Sequence, residues 1–358
     1  MRIKKALFLG TLCTAVSGMS LFAQAGVSYA KSAEKTTEAA SSEEAESEEE
    51  TSEEVTYPIT IEHAFGETVI ESKPERIATI GWENQDTPLA LGVAPVGVSA
   101  ANYGMVTDSN LHPWTDEAFA DLGVEKPVVF DDVDGLDFEQ ISDCNPDVIL
   151  AAYSGMTQED YDTLSQIAPV IPYKEKAWQT SWREQTIENA EGMGMKPEGE
   201  KKVKEVEDLI AEKLEEYPQL EGIPTAFCWI SADDFSTFYV YLPTDPRAAY
   251  LLDLGFTLPE SVQKLAGETD DFNITVSREN ADQLDDIQLM VVYGDEDLLK
   301  SLQEDKLMSQ IPAIKNGAVA LVDSTSALAG ACTPSILSIP YEIDEYLQLL
   351  SDAAENIK

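Results

Sequence analysis

"LDFEQISDCNPDVILAAYSG" occupies residues 136–155, and "SRENADQLDDIQLMVVYG" occupies residues 277–294. At an offset of 140, Glu139 falls on Glu279 and Tyr153 on Tyr293 without a gap. Each stretch reads as a capped helix feeding a buried strand. Asp137 caps the first, Gln140 completes an Asp-x-x-Gln capping box, and Asn145-Pro146 stops the helix before "DVILAAY". Ser277 caps the second, which leads into "IQLMVVYG". A chain that writes this unit twice is built from two similar halves.

Working outward, the first half alternates short apolar strands with helices: "RIATIG" (76–81), a helix ending in "LALG" (89–92), then "PVGVS", "KPVVF" and, after the repeat unit, "PVIPY" (169–173). The second half follows the same plan, with "TAFCWI" (225–230), a helix over "DPRAAYLLDLG" (245–255), the repeat unit, "AVALVD" (318–323) and a closing helix. Such alternation predicts an α/β fold with mostly parallel sheets. Between the halves, Val203, Val206, Ile210, Leu214 and Tyr217 recur at helical spacing within residues 197–220. Pro197 suits the first turn and Pro218 ends the run, so one helix of about 30 Å crosses between the halves. The expected architecture is two lobes, 56–196 and 221–358, on one stiff rod, with a ligand cleft between them.

The N-terminus reads differently. "MRIKK" followed by an apolar run and the small residues near Ala25 and Ala30 has the layout of a cleaved secretory signal. Leu12 before Cys13 fits a lipidation site poorly. Residues 31–55 hold ten glutamates and two lysines with no apolar cluster, the composition of a solvated tether. The protein is therefore expected to be exported, in the periplasm or at the outer face of the membrane. Removing the leader's three basic residues and the linker's net −8 from the total of −44 leaves −39 on the remainder. That charge excludes nucleic acid as a partner. Cys144, Cys228 and Cys332 remain, an odd number without metal-site spacing, and read as small buried hydrophobes.

Three stretches carry a family resemblance: residues 57–98, "YPITIEHAFGETVIESKPERIATIGWENQDTPLALGVAPVGV"; residues 138–155; and "CTPSILSIPYEID" from Cys332. They resemble the iron–siderophore substrate-binding proteins of ABC importers, the helical-backbone group that also includes vitamin B12 binders. The resemblance implies two lobes on a long helix, a ligand held in the cleft, and docking of a monomer on a membrane permease dimer. It also implies a permease-docking role for Glu139 and Glu279, one acidic residue per lobe. The helix macrodipole offers a plainer reason for a glutamate in a first turn.

Loops after strand C-termini are where α/β folds place ligands. In the first half these supply Trp82, Asn84, Tyr103, Tyr153 and Ser154; in the second, Trp229, Tyr239, Tyr241 and Arg247, with Tyr293 as the echo of Tyr153. Trp178 and Trp182, beside the crossing, read as structural. Of four arginines after the leader, Arg76 and Arg278 also read as structural, leaving Arg247, with Arg183 behind it, to meet a ligand oxygen. So few cations on so acidic a body favour a neutral or cationic ferric hydroxamate over a trianionic catecholate. Direct metal binding is not expected of a chain with only His63 and His112, so the iron would arrive already chelated and no cofactor is required. No Gly-x-Ser-x-Gly elbow or phosphate loop points to an enzyme. Haem or cobalamin on the same scaffold is the alternative, with Tyr103 or Tyr241 as a haem axial ligand.

Overall fold

The computed structural model describes residues 55–132 and 135–358. The leader, Cys13 and the acidic tether lie outside the described residues. Strands β1 (Ile59–His63) and β2 (Gly66–Ile70) form an antiparallel hairpin. The first lobe's sheet contains β3 (Ile77–Thr79), β4 (Gly97–Ser99), β5 (Val129–Phe130), β6 (Val148–Ala151) and β7 (Val170–Pro172), in the order β5-β4-β3-β6-β7 and all parallel. β6 is buried on every residue, as a strand covered by helices on both faces should be.

The second lobe contains β8 (Thr225–Trp229), β9 (Thr237–Tyr241), β10 (Asn273–Ser277), β11 (Leu289–Tyr293) and β12 (Val319–Val322), in the order β10-β9-β8-β11-β12. β8, β11 and β12 are parallel, and β9 runs antiparallel to both its neighbours. The two orders match position for position, so β6 and β11, the strands of the repeated phrase, are equivalent.

Three local expectations are corrected. Tyr239 and Tyr241 lie on strand β9, because "TFYVY" alternates exposed and buried positions as a half-covered strand does. The segment after the Ser277 cap is a 3₁₀ turn, Arg278–Gln283, closed by an i→i+3 bond from Leu284 N to Ala281 O at 3.2 Å. At Asp137, Gln140 donates both its backbone N–H (2.9 Å) and its side-chain amide (2.7 Å) to the Asp137 carboxylate, so the box closes side chain to side chain.

The crossing is the Lys196–Leu214 helix, with Pro197 in its first turn. Its Val203, Val206 and Ile210 are buried in one apolar cluster with Phe227, Val291 and the C-terminal helix residues Ile343 and Leu347, while Leu214 and Tyr217 pack at its edge. The rod is thus built into the second lobe's core. Arg183 is spent holding it, donating to Glu207 Oε1 at 2.6 Å and Asp253 Oδ2 at 2.7 Å. It is therefore a structural clamp and does not stand behind Arg247 as a ligand contact. Arg76 bonds the carbonyls of Cys144 and Asn145, and Arg278 pairs with Asp305. The three cysteines are buried and unpaired.

One acid is placed at a cost. Glu188, on the Trp182–Gly192 helix, has an Oε2 that is buried and meets no donor. Burial, reinforced by Glu184, pushes its pKa up to about 8. The unfolded chain ionises this group near 4.5, so stability is greatest below that value and falls as pH rises toward 8. Glu188→Gln should flatten this slope and raise stability at pH 8 by about 2 kcal/mol. Thermal melts of both forms at pH 5 and pH 8 check it; parallel curves would contradict the assignment.

Candidate ligand-binding site

The C-terminal ends of β3, β4 and β6 surround a cavity of about 350 Å³. Trp82, Ser99, Asp132, Ser154, Met156 and Trp178 are among its walls. Trp178 packs against Trp82 (ring centroids 5.5 Å apart) and against Tyr153 (5.3 Å), making a three-ring corner. Gly81 turns the chain here with φ +80°, and a Cβ would fall 2.7 Å from Tyr153 O, so only glycine lets β3 approach β6 this closely. A smaller, deeper space of about 20 Å³ adjoins it, sharing Gly81, Trp82, Ser99, Ala100 and Asn102 and reaching Glu83, Gln85, Tyr103 and His112. Gly330 and Thr333 of the second lobe close that space.

The second lobe presents a ladder of rings on one face of its sheet. Phe227 meets Tyr241 and Tyr293 at centroid separations of 5.8 and 5.2 Å, and Tyr293 packs edge-on to Tyr103 at 5.2 Å. Further along the same face, Trp229 and Tyr239 stack at 5.5 Å and stand about 40% exposed. The Arg247 guanidinium lies 3.9 Å over the Tyr241 ring and is gripped by the fully buried Asp245 through Nε (2.8 Å) and Nη2 (2.6 Å). Burial works to lower the Arg247 pKa, but Asp245 more than offsets it and the charge is held firmly. Tyr153 of the first lobe is buried, which raises its pKa, and the Tyr103–Tyr293 contact is what joins the two strand ends here.

Of the sequence-nominated residues, Trp82 and Ser154 line the larger cavity and Tyr103 the smaller. Tyr153, Tyr241, Tyr293 and Arg247 line neither cavity, the three rings being buried, and Trp229 and Tyr239 stand outside both as exposed rings of the second lobe. Asn84 also lines neither. It is fully buried: Nδ2 donates to Ile80 O (2.7 Å) and Tyr153 O (2.9 Å), and Oδ1 accepts from Tyr153 N (3.1 Å) and Asn189 (3.0 Å). It fixes the loop that carries Trp82. Trp178, assigned a structural role, is instead a cavity wall; it follows the C-terminal end of β7, so the strand-end rule reaches it. Asp132 and His112 were missed, the first because acids are so common in this chain.

A buried polar cluster stitches the lobes beneath the cleft. Asp86 accepts from Trp114 Nε1 (2.9 Å), Thr115 Oγ1 (2.9 Å) and Ser335 Oγ (2.5 Å). Burial and the nearby Glu83 push its pKa well up. His112 Nε2 lies 3.2 Å from Glu83 Oε1, and the ring stacks on Trp114 at 4.5 Å. Burial alone would lower its pKa, but Glu83 raises it on balance. Burial pushes the Tyr103 phenol up to about 12 and raises Tyr241 as well.

With this geometry in hand, comparison with known proteins is direct. The periplasmic binding protein family model matches residues 77–325. The chain belongs to the periplasmic binding protein family. The structure of PiaA from Streptococcus pneumoniae TIGR4 in complex with ferrichrome is 48% identical, with a TM-score of 0.81, over 84% of this chain and all of that one. Among curated proteins, the petrobactin-binding protein YclQ of Bacillus subtilis (strain 168) is 24% identical over 305 residues, 81% of this chain and 88% of its own. The probable siderophore-binding lipoprotein YfiY of the same organism is 25% identical over 237 residues, covering 65% and 67%. The family resemblance drawn from residues 57–98, 138–155 and the Cys332 segment is borne out at family level, and membership in it makes the chain a binder of solutes, not an enzyme. Among the described residues, no helix is long and apolar enough to cross a membrane.

Proposed function

We propose that this protein is the extracytoplasmic receptor of an ABC importer, capturing a ferric siderophore, a hydroxamate complex in preference to a catecholate, and handing it to a permease dimer. The observation that carries this reading is the cavity walled by Trp82 and Trp178, with no lysine or arginine in its lining, on a chain 48% identical to a protein whose structure holds ferrichrome. Chelates of this kind present an apolar shell with few polar oxygens, and such sites are concave and aromatic with a few placed polar groups. A trianionic catecholate needs several free cations. Neither cavity is lined by a lysine or arginine, and Arg247 already belongs to Asp245. Glu139 and Glu279 are the surfaces offered to the permease; each is exposed and follows the equivalent edge strand of its lobe, β5 or β10.

Titrating tryptophan fluorescence with ferrichrome and with a ferric tris-catecholate tests the preference. The hydroxamate should bind at least about tenfold tighter, roughly 1.4 kcal/mol. Tighter binding of the catecholate would overturn the electrostatic argument, and no quenching by either would overturn the receptor reading.

A further inference from the structure

Trp178, a wall of the larger cavity, sits at φ +62°. For a bulky residue that conformation is an outlier, and it persists only where the surroundings enforce it. On the first-lobe side the enforcement is visible. Trp178 N donates to Ser154 O (3.2 Å), and Thr180 Oγ1 donates to Ala152 O (2.7 Å). The indole lies so close over Gly155 that a Cβ there would fall 2.5 Å from its Nε1. The same loop is also tied to the second lobe. Lys176 pairs with the Asp270 carboxylate, and Gln179 Nε2 donates to Asp270 O at 3.0 Å. Asp270 stands in the loop between the Glu260–Ala266 helix and β10. That loop is pinned in turn to the segment just before Asp245, with Thr244 Oγ1 donating to Asp271 O (3.0 Å) and Leu242 N to Phe272 O (2.9 Å). One short segment therefore runs from lobe to lobe, with a cavity-wall ring between its two cross-lobe attachments.

We infer that Lys176, Gln179 and Asp270 are positioning residues for the chelate: they strap the Trp178 loop across the two lobes, hold the ring against the cavity and slow release of the ligand. None of the three lines either cavity, so they act through Trp178 and not on the chelate. A half-buried ring at φ +62° relaxes once its ties are cut, and leaves its place against Trp82 and Tyr153. An exposed ion pair contributes little to the stability of a whole domain, but it is enough to shift a loop equilibrium several-fold. Opening of such loops commonly sets the rate at which a bound molecule departs. The inference rests on the receptor reading above and adds what sets the residence time of its ligand.

The test is a charge-reversal cycle: Lys176→Glu, Asp270→Lys, and both together, with ferrichrome as the probe and stopped-flow tryptophan fluorescence as the readout. Each single reversal should speed dissociation by about fivefold, with the melting temperature held within about 2 °C. The double variant restores the pair with its polarity exchanged, and its dissociation rate should return to within about twofold of the unaltered protein. Without chelate, hydrogen exchange of residues 174–181 should rise in each single variant and fall back in the double. Unchanged dissociation in the single variants, or a double variant no slower than the singles, would overturn the strap and leave the receptor reading intact. Failure of ferrichrome to bind the unaltered protein would overturn both.

Discussion

Reversing the charge at both outer turns, Glu139→Lys with Glu279→Lys, abolishes import of the ferric chelate while affinity of the purified protein for that chelate stays within about twofold. Both side chains are exposed, and both lie outside the cavities. Their loss therefore costs the fold only the helix-end term of about 0.3–1 kcal/mol each. Docking is another matter. A buried, hydrogen-bonded charge pair across an interface costs about 2–5 kcal/mol when one partner is truncated, and reversal adds repulsion. Two such losses on one permease dimer reduce productive docking by about a thousandfold or more, and each single reversal should show part of the defect. Uptake of radiolabelled iron by cells lacking the native receptor and supplied with the variant is the measurement; normal uptake by the double variant removes the docking role.

The second large effect concerns stability. Asp245→Ala strips Arg247 of its counter-ion and removes the cap of the Pro246–Asp253 helix, where Asp245 Oδ1 accepts from Arg247 N at 2.9 Å. The guanidinium is then left 14% exposed with no carboxylate against it. An uncompensated buried charge of this kind costs about 3–5 kcal/mol. The melting temperature should fall by about 10 °C, with chelate affinity falling alongside because Arg247 no longer holds its place over Tyr241. Asp245→Asn, which keeps an acceptor for the cap and loses the charge, should lie between. Circular dichroism melts decide it: a loss below about 1 kcal/mol in the alanine variant would mean that Arg247 finds water or another acceptor.

Much of the site could be read before the fold, because one topological rule covers it. Parallel strands end on the same side, so residues just past β3, β4 and β6 must converge, and Trp82, Tyr103, Tyr153 and Ser154 do. The errors share a cause too. Asn84 carries a donor beside a ring, as a ligand contact would, but its amide saturates backbone groups 69 residues away. Trp178 lies past the C-terminal end of β7, so the loop could be nominated, but no local pattern shows that its ring turns onto the Trp82–Tyr153 corner. Arg183 and Arg247 look alike in the chain; one is held by Glu207 and Asp253 across the crossing helix, the other by its own neighbour Asp245 in the second lobe.

Local patterns determined the two lobes, the order of their elements, the long crossing helix and the equivalence of Glu139 with Glu279. Capping, strand burial and helical periodicity are each written within a few consecutive residues. Only the tertiary structure decided which rings face the groove and that Gly330 and Thr333 of the second lobe close the smaller cavity of the first. Those outcomes depend on approaches such as Ser335 to Asp86, 249 residues apart, which no short-range pattern encodes.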